Sequence, residues 1–199
     1  MKVFKYSDEQ LEILKSKDEV LKEAINKIGR INREINDDLF YTLINSIASQ
    51  QISTKAAISV WNKIVDLVKV ITPENIIKYS IEELQKCGLS FRKARYIYEA
   101  AERFASGEFD VEYLKTLSDD DLIKELVKLK GVGVWTAEML LIFSLNRMDV
   151  LSLNDLGIIR GLKRLYNLDE ISKEKLLELK DRYRPYGSIA SLYLWELAK

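Results

Sequence analysis

"LKGVGVWTAEMLL", residues 129–141, is the stretch that decides how the chain is read. Gly131 and Gly133 stand where an apolar helical pattern is about to begin, and Trp135 follows almost at once. Just upstream, "SDDDLIKELVKLKG" opens on Ser118, a good N-cap, with acids in the first turn where the helix dipole favours them. Residues 118–146 therefore read as helix, short turn, helix, and "KGVG" is the turn. Glycine supplies the backbone angles of so tight a hairpin cheaply. The same turn leaves amide N–H groups facing outward at the start of the second helix. Such an end carries partial positive charge and free donors, a ready seat for a phosphate. The glycines thus suit two roles, an ordinary α-hairpin turn or a clamp on a nucleic-acid backbone, and this stretch alone leaves both open.

The rest of the chain is helical in pattern. Apolar residues recur at three- and four-residue spacing, and only two prolines, Pro73 and Pro185, interrupt. "LEILKSKDEVLKEAINKIG" predicts two helices around a cap at Asp18, ending at Gly29. Asp37 or Asp38 opens the next, and Ser53 caps one that stops before Pro73. Two short helices follow, then a longer one, "FRKARYIYEAAERFASG", that Gly107 ends. No strand, repeat or linker stands out. The expected fold is all-α: one compact multi-helix domain over 1–199, in two lobes with a cleft between them.

Composition narrows the chemistry. Histidine is absent, which removes mechanisms built on a histidine base or ligand. The single cysteine, Cys87, supplies neither an internal disulfide nor the thiolates of an iron–sulfur cluster. Acid–base work falls to carboxylates, lysine or tyrosine. No run of eighteen apolar residues predicts a membrane helix, and "MKVFKYSDEQ" lacks the apolar core of a signal peptide, so a cytoplasmic protein is expected, nucleoid-associated in a prokaryote; a monomer is expected as well. A net charge of zero counts mildly against a nucleic-acid binder but permits local basic patches.

"LKGVGVWTAEMLLIFSLNRMDVLSLNDLGIIRGL", residues 129–162, resembles the hairpin and the Asp-bearing loop of the helix-hairpin-helix DNA glycosylase superfamily, and within it is most similar to the 3-methyladenine DNA glycosylase II family. "SIASQQISTKAA" (46–57) resembles the segment that enters the DNA groove, "GLSFRKARYIYEAA" (88–101) the second helical signature and "RPYGSIASLYLW" (184–195) the final helix. The similarity runs from about Asp18 to the C-terminus. Some members carry an extra N-terminal β domain, for which this chain is too short.

The resemblance implies hydrolysis of the N-glycosidic bond of a damaged base flipped from double-stranded DNA. It places the catalytic carboxylate on Asp155. On the residues alone, Asp155 is also an N-cap for "LGIIRGLKRLY", and the two roles are compatible, since a cap holds the carboxylate rigid. Asn154 stands where some relatives have an acid. Bifunctional members carry a Schiff-base lysine where this chain has Trp135, which implies a monofunctional enzyme; Lys130 lies before the turn, out of place for that role.

Trp135 and Tyr186 match pocket positions, with Tyr41 and Phe40 as further walls. An aromatic face attracts a cationic alkylated purine by up to about 2 kcal/mol when desolvated. Packing at a helix junction is the alternative role for Trp135. Trp61, Tyr96 and Tyr98 sit on regular helices and are expected in the core. On the DNA side stand Gly131, Gly133, Val134 and Thr136 of the hairpin, with Gln51 and Ser53. Gln51 either fills the gap left by the flipped base or ties its loop, as Gln50 and Ser53 do. No cofactor is required; the superfamily's hairpin often holds sodium or potassium through carbonyls that fall on Val127, Leu129 and Val132. The function expected is excision of alkylated purines such as 3-methyladenine and 7-methylguanine. The alternatives are another lesion (hypoxanthine, ethenoadenine, a deaminated or oxidised base), a hairpin module that binds DNA without chemistry, or a helical scaffold for other proteins.

Overall fold

The computed structural model describes residues 2–199. Backbone contacts divide the described residues into two units, one made of residues 36–140 and the other of 2–35 with 141–199.

In chain order the discontinuous unit begins with strand β1 (Lys2–Val3), helices α1 (Asp8–Lys17) and α2 (Glu19–Ile28), and strand β2 (Glu34–Ile35). Ser7 and Asp18 cap the two helices as their side-chain chemistry favours. The strands pair antiparallel, Lys2 with Ile35 and Val3 with Glu34. This small sheet departs from the strand-free expectation, because two residues are too few to show an alternating pattern.

The continuous unit holds α3 (Leu39–Ser49), α4 (Thr54–Val68), α5 (Pro73–Ile76), α6 (Ile81–Lys86), α7 (Phe91–Ala105), α8 (Val111–Thr116) and α9 (Asp119–Leu126). Asp38, Ser53 and Ser118 are the caps of α3, α4 and α9. Helix α3 packs on α4 and α7. Leu43, Ile44 and Ile47 of α3, Ile64 of α4 and Ile97 of α7 are fully buried. Each such side chain contributes about 1.5–3 kcal/mol of hydrophobic stabilisation.

Helix α10 (Val134–Phe143) runs on from the hairpin. Helices α11 (Leu156–Tyr166), α12 (Lys173–Tyr183) and α13 (Gly187–Leu197) complete the discontinuous unit. Helix α13 is its axis: every residue from Gly187 to Leu194 is buried, and it packs on α2, α11 and α12. It crosses α11 closely, because a Cβ at Gly161 would lie 2.1 Å from the carbonyl oxygen of Leu194. Helices α8 and α12 are additions to the sequence reading. "SKEKLLELKDRY" is so rich in charge that its apolar stripe is narrow, yet Leu176, Leu179 and Tyr183 are buried from it.

Candidate DNA-repair site

The hairpin forms where the glycines stand. Helix α9 ends at Leu126, and a run of tight turns replaces its last predicted residues: the Leu129 amide donates to the Leu126 carbonyl at 3.1 Å and the Val132 amide to the Leu129 carbonyl at 3.1 Å. Leu129 and Val132 bury their side chains, which keeps their backbone at the turn. The two glycines serve different ends. Gly131 has φ +83°, and a Cβ on it would come within 2.5 Å of the Tyr96 ring, so both backbone angle and close approach exclude a side chain. A Cβ on Gly133 would meet nothing within 4 Å. Only Gly131 is required by the hairpin itself, and Gly133 leaves open space before the first turn of α10.

Helix α7 supports this turn and its neighbour loop together. Tyr96 lies under Gly131, and the Lys93 ammonium donates to the Ala48 carbonyl at 2.9 Å and to the Gln50 carbonyl. Burial, aided by the nearby Arg92 charge, holds Lys93 below lysine's ordinary pKa. The Gln50 side-chain amide donates in turn to the Gly131 carbonyl at 2.9 Å. Gln50 is thus the tie between loop and hairpin. Ser53 is the exposed cap of α4, accepting from the Ala56 amide at 3.3 Å. Gln51 is exposed, with φ 56°. A non-glycine residue costs energy there, and such strain gathers where a side chain must be aimed.

Between α3 and α10 lies a recess of about 480 Å³, lined by Ser46, Ser49, Gln50, Gln51, Trp135, Thr136 and Met139. Its size and mixed lining suit a small ligand. Trp135 is 46% exposed, and neighbouring Val134 is also exposed. Thr136, expected on the DNA face, has its side chain buried in the recess wall; its backbone remains in the first turn of α10. Phe40 corrects the expectation of a pocket wall. It is buried in the core against Phe104, ring centres 5.1 Å apart, because the inward face of α3 needs apolar bulk there. Tyr41 is half-buried beside Trp61, with the Trp61 indole donating to its hydroxyl at 3.0 Å, and does not line this recess.

Asp155 lies in the other unit, as the N-cap of α11, and is 8% exposed. Its Oδ1 accepts from the Ile158 amide at 2.8 Å and from the Trp195 indole of α13 at 3.0 Å. The loop that leads to it is fixed to the head of α13. Ser188 Oγ accepts from the Val150 amide at 3.0 Å and donates to the Arg147 carbonyl at 2.6 Å, and Ser191 Oγ donates to the Val150 carbonyl at 3.0 Å. Helix α13 has no side-chain cap of its own; Asp149 accepts from the Gly187 amide at 3.3 Å and from Arg184 at 2.9 Å. Tyr186 is half-buried at this helix start. Sequence reasoning missed Trp195, Ser188 and Ser191. Small residues at 187, 188, 190 and 191 were the available signal, since they mark a helix face approached closely by another backbone.

The ingredients follow one another along the chain: a phosphate-ready hairpin, an aromatic at its exit, and a buried aspartate heading the next helix. That order is the layout of a helix-hairpin-helix DNA-repair protein. A family model described as HhH-GPD superfamily base excision DNA repair protein matches residues 44–185. The DNA-3-methyladenine glycosylase 1 of Schizosaccharomyces pombe is 36% identical over 190 residues, covering 92% of this chain and 83% of its own. The crystal structure of a DNA-3-methyladenine glycosidase from Bacillus halodurans superposes with a TM-score of 0.90 at 35% identity, covering 100% of this chain and 93% of that one. The 3-methyladenine DNA glycosylase of Schizosaccharomyces pombe, solved in complex with abasic DNA, gives 0.81 at 34%, covering 94% and 95%. The chain belongs to the HhH-GPD superfamily of base excision DNA repair proteins.

Proposed function

We propose that this protein is a monofunctional DNA glycosylase that hydrolyses the N-glycosidic bond of alkylated purines such as 3-methyladenine and 7-methylguanine. The observation that carries the reading is Asp155: a buried carboxylate held by two donors at the head of a helix, in the position the superfamily uses for catalysis. The names of the relatives and the abasic DNA bound by one of them support the substrate class.

The steps follow from the residues. The first-turn amides of α10, with Gly133 open before them, seat a backbone phosphate of the duplex. Gln51, on its strained backbone, enters the space vacated by the flipped base. Aromatic faces, Trp135 in one unit and Tyr186 in the other, suit a base that alkylation has made cationic. That cationic base is already a good leaving group, so the chain's lack of a histidine acid is no obstacle. The ionised Asp155 then stabilises the oxocarbenium-like charge on the sugar and orients or deprotonates water. Trp135 occupies the position of the Schiff-base lysine in bifunctional relatives, so no covalent adduct forms and the backbone stays intact.

A monovalent ion at the hairpin is part of this reading. Val127, Leu129 and Val132 would hold it through neutral carbonyl oxygens, a donor set suited to sodium or potassium, the Leu129 carbonyl also accepting the Val132 amide. An ion there would add positive field near the phosphate.

The test is a panel of duplexes, each with one lesion, followed by chromatography of the released base. Release of 3-methyladenine and 7-methylguanine is expected, from strands that stay uncut at neutral pH and give no borohydride-trapped complex. A nicked product or a trapped adduct overturns the monofunctional assignment. Release confined to hypoxanthine, ethenoadenine or an oxidised base replaces the substrate class, and binding without release leaves only a DNA-binding module.

A further inference from the structure

We infer that Trp195 is a positioning residue for Asp155, its indole N–H holding the carboxylate in one rotation at the head of α11. The inference rests on the catalytic reading of Asp155 given above. Capping alone needs only a bond to the helix's own amides, and Asp38 shows that simpler case, accepting from the Tyr41 amide at 2.9 Å. Asp155 makes the corresponding bond to Ile158 at 2.8 Å and adds a donor from forty residues further along the chain, at 3.0 Å on the same oxygen. Two donors converging on Oδ1 from different helices fix the torsion of the carboxylate, which one amide bond does not.

The indole is itself held. Its ring stacks on Phe143, centres 5.5 Å apart and planes 28° apart, and the Arg33 guanidinium stands 5.2 Å from the centre of the Phe143 ring. Space for it depends on Gly157, in the first turn of α11. A Cβ there would lie 2.8 Å from Trp195 Cδ1 and 2.9 Å from Asp155 Oδ1. Alanine at that position would wedge donor and acceptor apart.

The type of donor matters. Indole gives one N–H and carries no charge. Lysine or arginine in its place would fix the carboxylate equally well but pair with it, cancelling the negative field that a cationic transition state needs. A neutral donor orients the group without itself adding a positive charge to it. Preorganisation of this kind is the usual source of electrostatic catalysis.

Single-turnover excision from a duplex with one alkylated purine, titrated with enzyme, reads the maximal rate and the half-saturating concentration separately. Trp195→Phe keeps a ring against Phe143 but has no N–H. Its maximal rate is expected to fall about tenfold, the effect of losing one hydrogen bond to a charged group, with half-saturation and affinity for an abasic-site duplex within about twofold of wild type. Gly157→Ala is expected to show the same split. It decides the matter should Trp195→Phe melt too low to assay. The inference is overturned if the Trp195→Phe rate is unchanged while Asp155→Asn is inactive, or if rate and DNA affinity fall together, which marks a purely structural role. Should Asp155→Asn itself excise at the wild-type rate, the catalytic reading of Asp155 fails, and that result is separate from either outcome at Trp195.

Discussion

At Asp155 a single oxygen accepts both the Ile158 amide and the Trp195 indole, so capping and orientation are carried by the same atom. This makes Asp155→Asn an informative substitution. Asparagine caps a helix about as well as aspartate and keeps an acceptor for both donors, so stability should fall by no more than about 1 kcal/mol. The charge, however, is gone when the sugar becomes cationic, and single-turnover excision should slow about a hundredfold or more. A melting curve and an excision time course, on one preparation, check both halves. A folded variant that excises normally would reduce Asp155 to a helix cap. The cap was legible in the sequence because it is local: an Asp before an apolar helical pattern needs only its own helix. Trp195 was not, since its partner depends on how closely α13 crosses α11. Phe40 was misjudged for a related reason. Its apolar character says that it is buried, but which side of α3 faces the core is set by Phe104, far along the chain.

At the scale of elements, the hairpin was the most legible part, because its cap, acids, glycines and apolar run all point to one geometry. What the sequence left merged were the roles of its two glycines. Gly131 has left-handed backbone against the Tyr96 ring, and Gly133 has open space before it. Gly131→Ala should therefore destabilise the protein by about 1–3 kcal/mol through strain and overpacking. Gly133→Val should leave the melting temperature nearly unchanged and weaken binding to damaged and undamaged duplexes alike. A loss of about 1 kcal/mol, roughly fivefold in Kd, is expected if one phosphate contact is impaired. Titration of both duplexes with the two variants, beside their melting curves, separates the roles. A Gly133→Val defect confined to damaged DNA would mean that the hairpin reads the lesion. The elements that escaped sequence reading share a cause: β1 and β2 are too short for a period, and α8 and α12 bury too few of their residues to show a broad apolar face.

Across the whole molecule, the unit that carries Asp155 is made of both ends of the chain, and a few long-range polar contacts join them. Asp18 is the main one. It caps α2 through the Leu21 amide at 3.0 Å, accepts from the Tyr166 hydroxyl, and pairs with Arg182 at 2.7 Å across 164 residues of sequence. Tyr193 adds a bond from its hydroxyl to the Gly29 carbonyl at 3.0 Å. Burial opposes ionisation of Asp18, but the hydrogen bonds from Tyr166, Leu21 and Arg182 and the Arg182 charge outweigh it, so its pKa lies below the ordinary 3.8. Burial, and then the bond to Asp18, push the Tyr166 hydroxyl well above its usual range, so it stays a donor at all working pH values. The sign of the pH dependence follows. A carboxyl group with a lowered folded pKa binds protons more readily in the unfolded chain, so its contribution is complete above its unfolded value and declines as pH falls through the folded one. Asp18→Asn retains the cap but loses the charged pair, which should cost about 2 kcal/mol near neutrality, or about 4–8 °C in Tm for a chain of this size. The difference in Tm between wild type and variant should be constant from pH 8 down to about 5 and shrink below about 4, as wild-type Asp18 takes up its proton. Paired melting curves across that range measure it. A difference that persists undiminished at the acid end would show that Asp18 acts through shape and hydrogen bonding, and that its charge does not hold the two ends of the chain together.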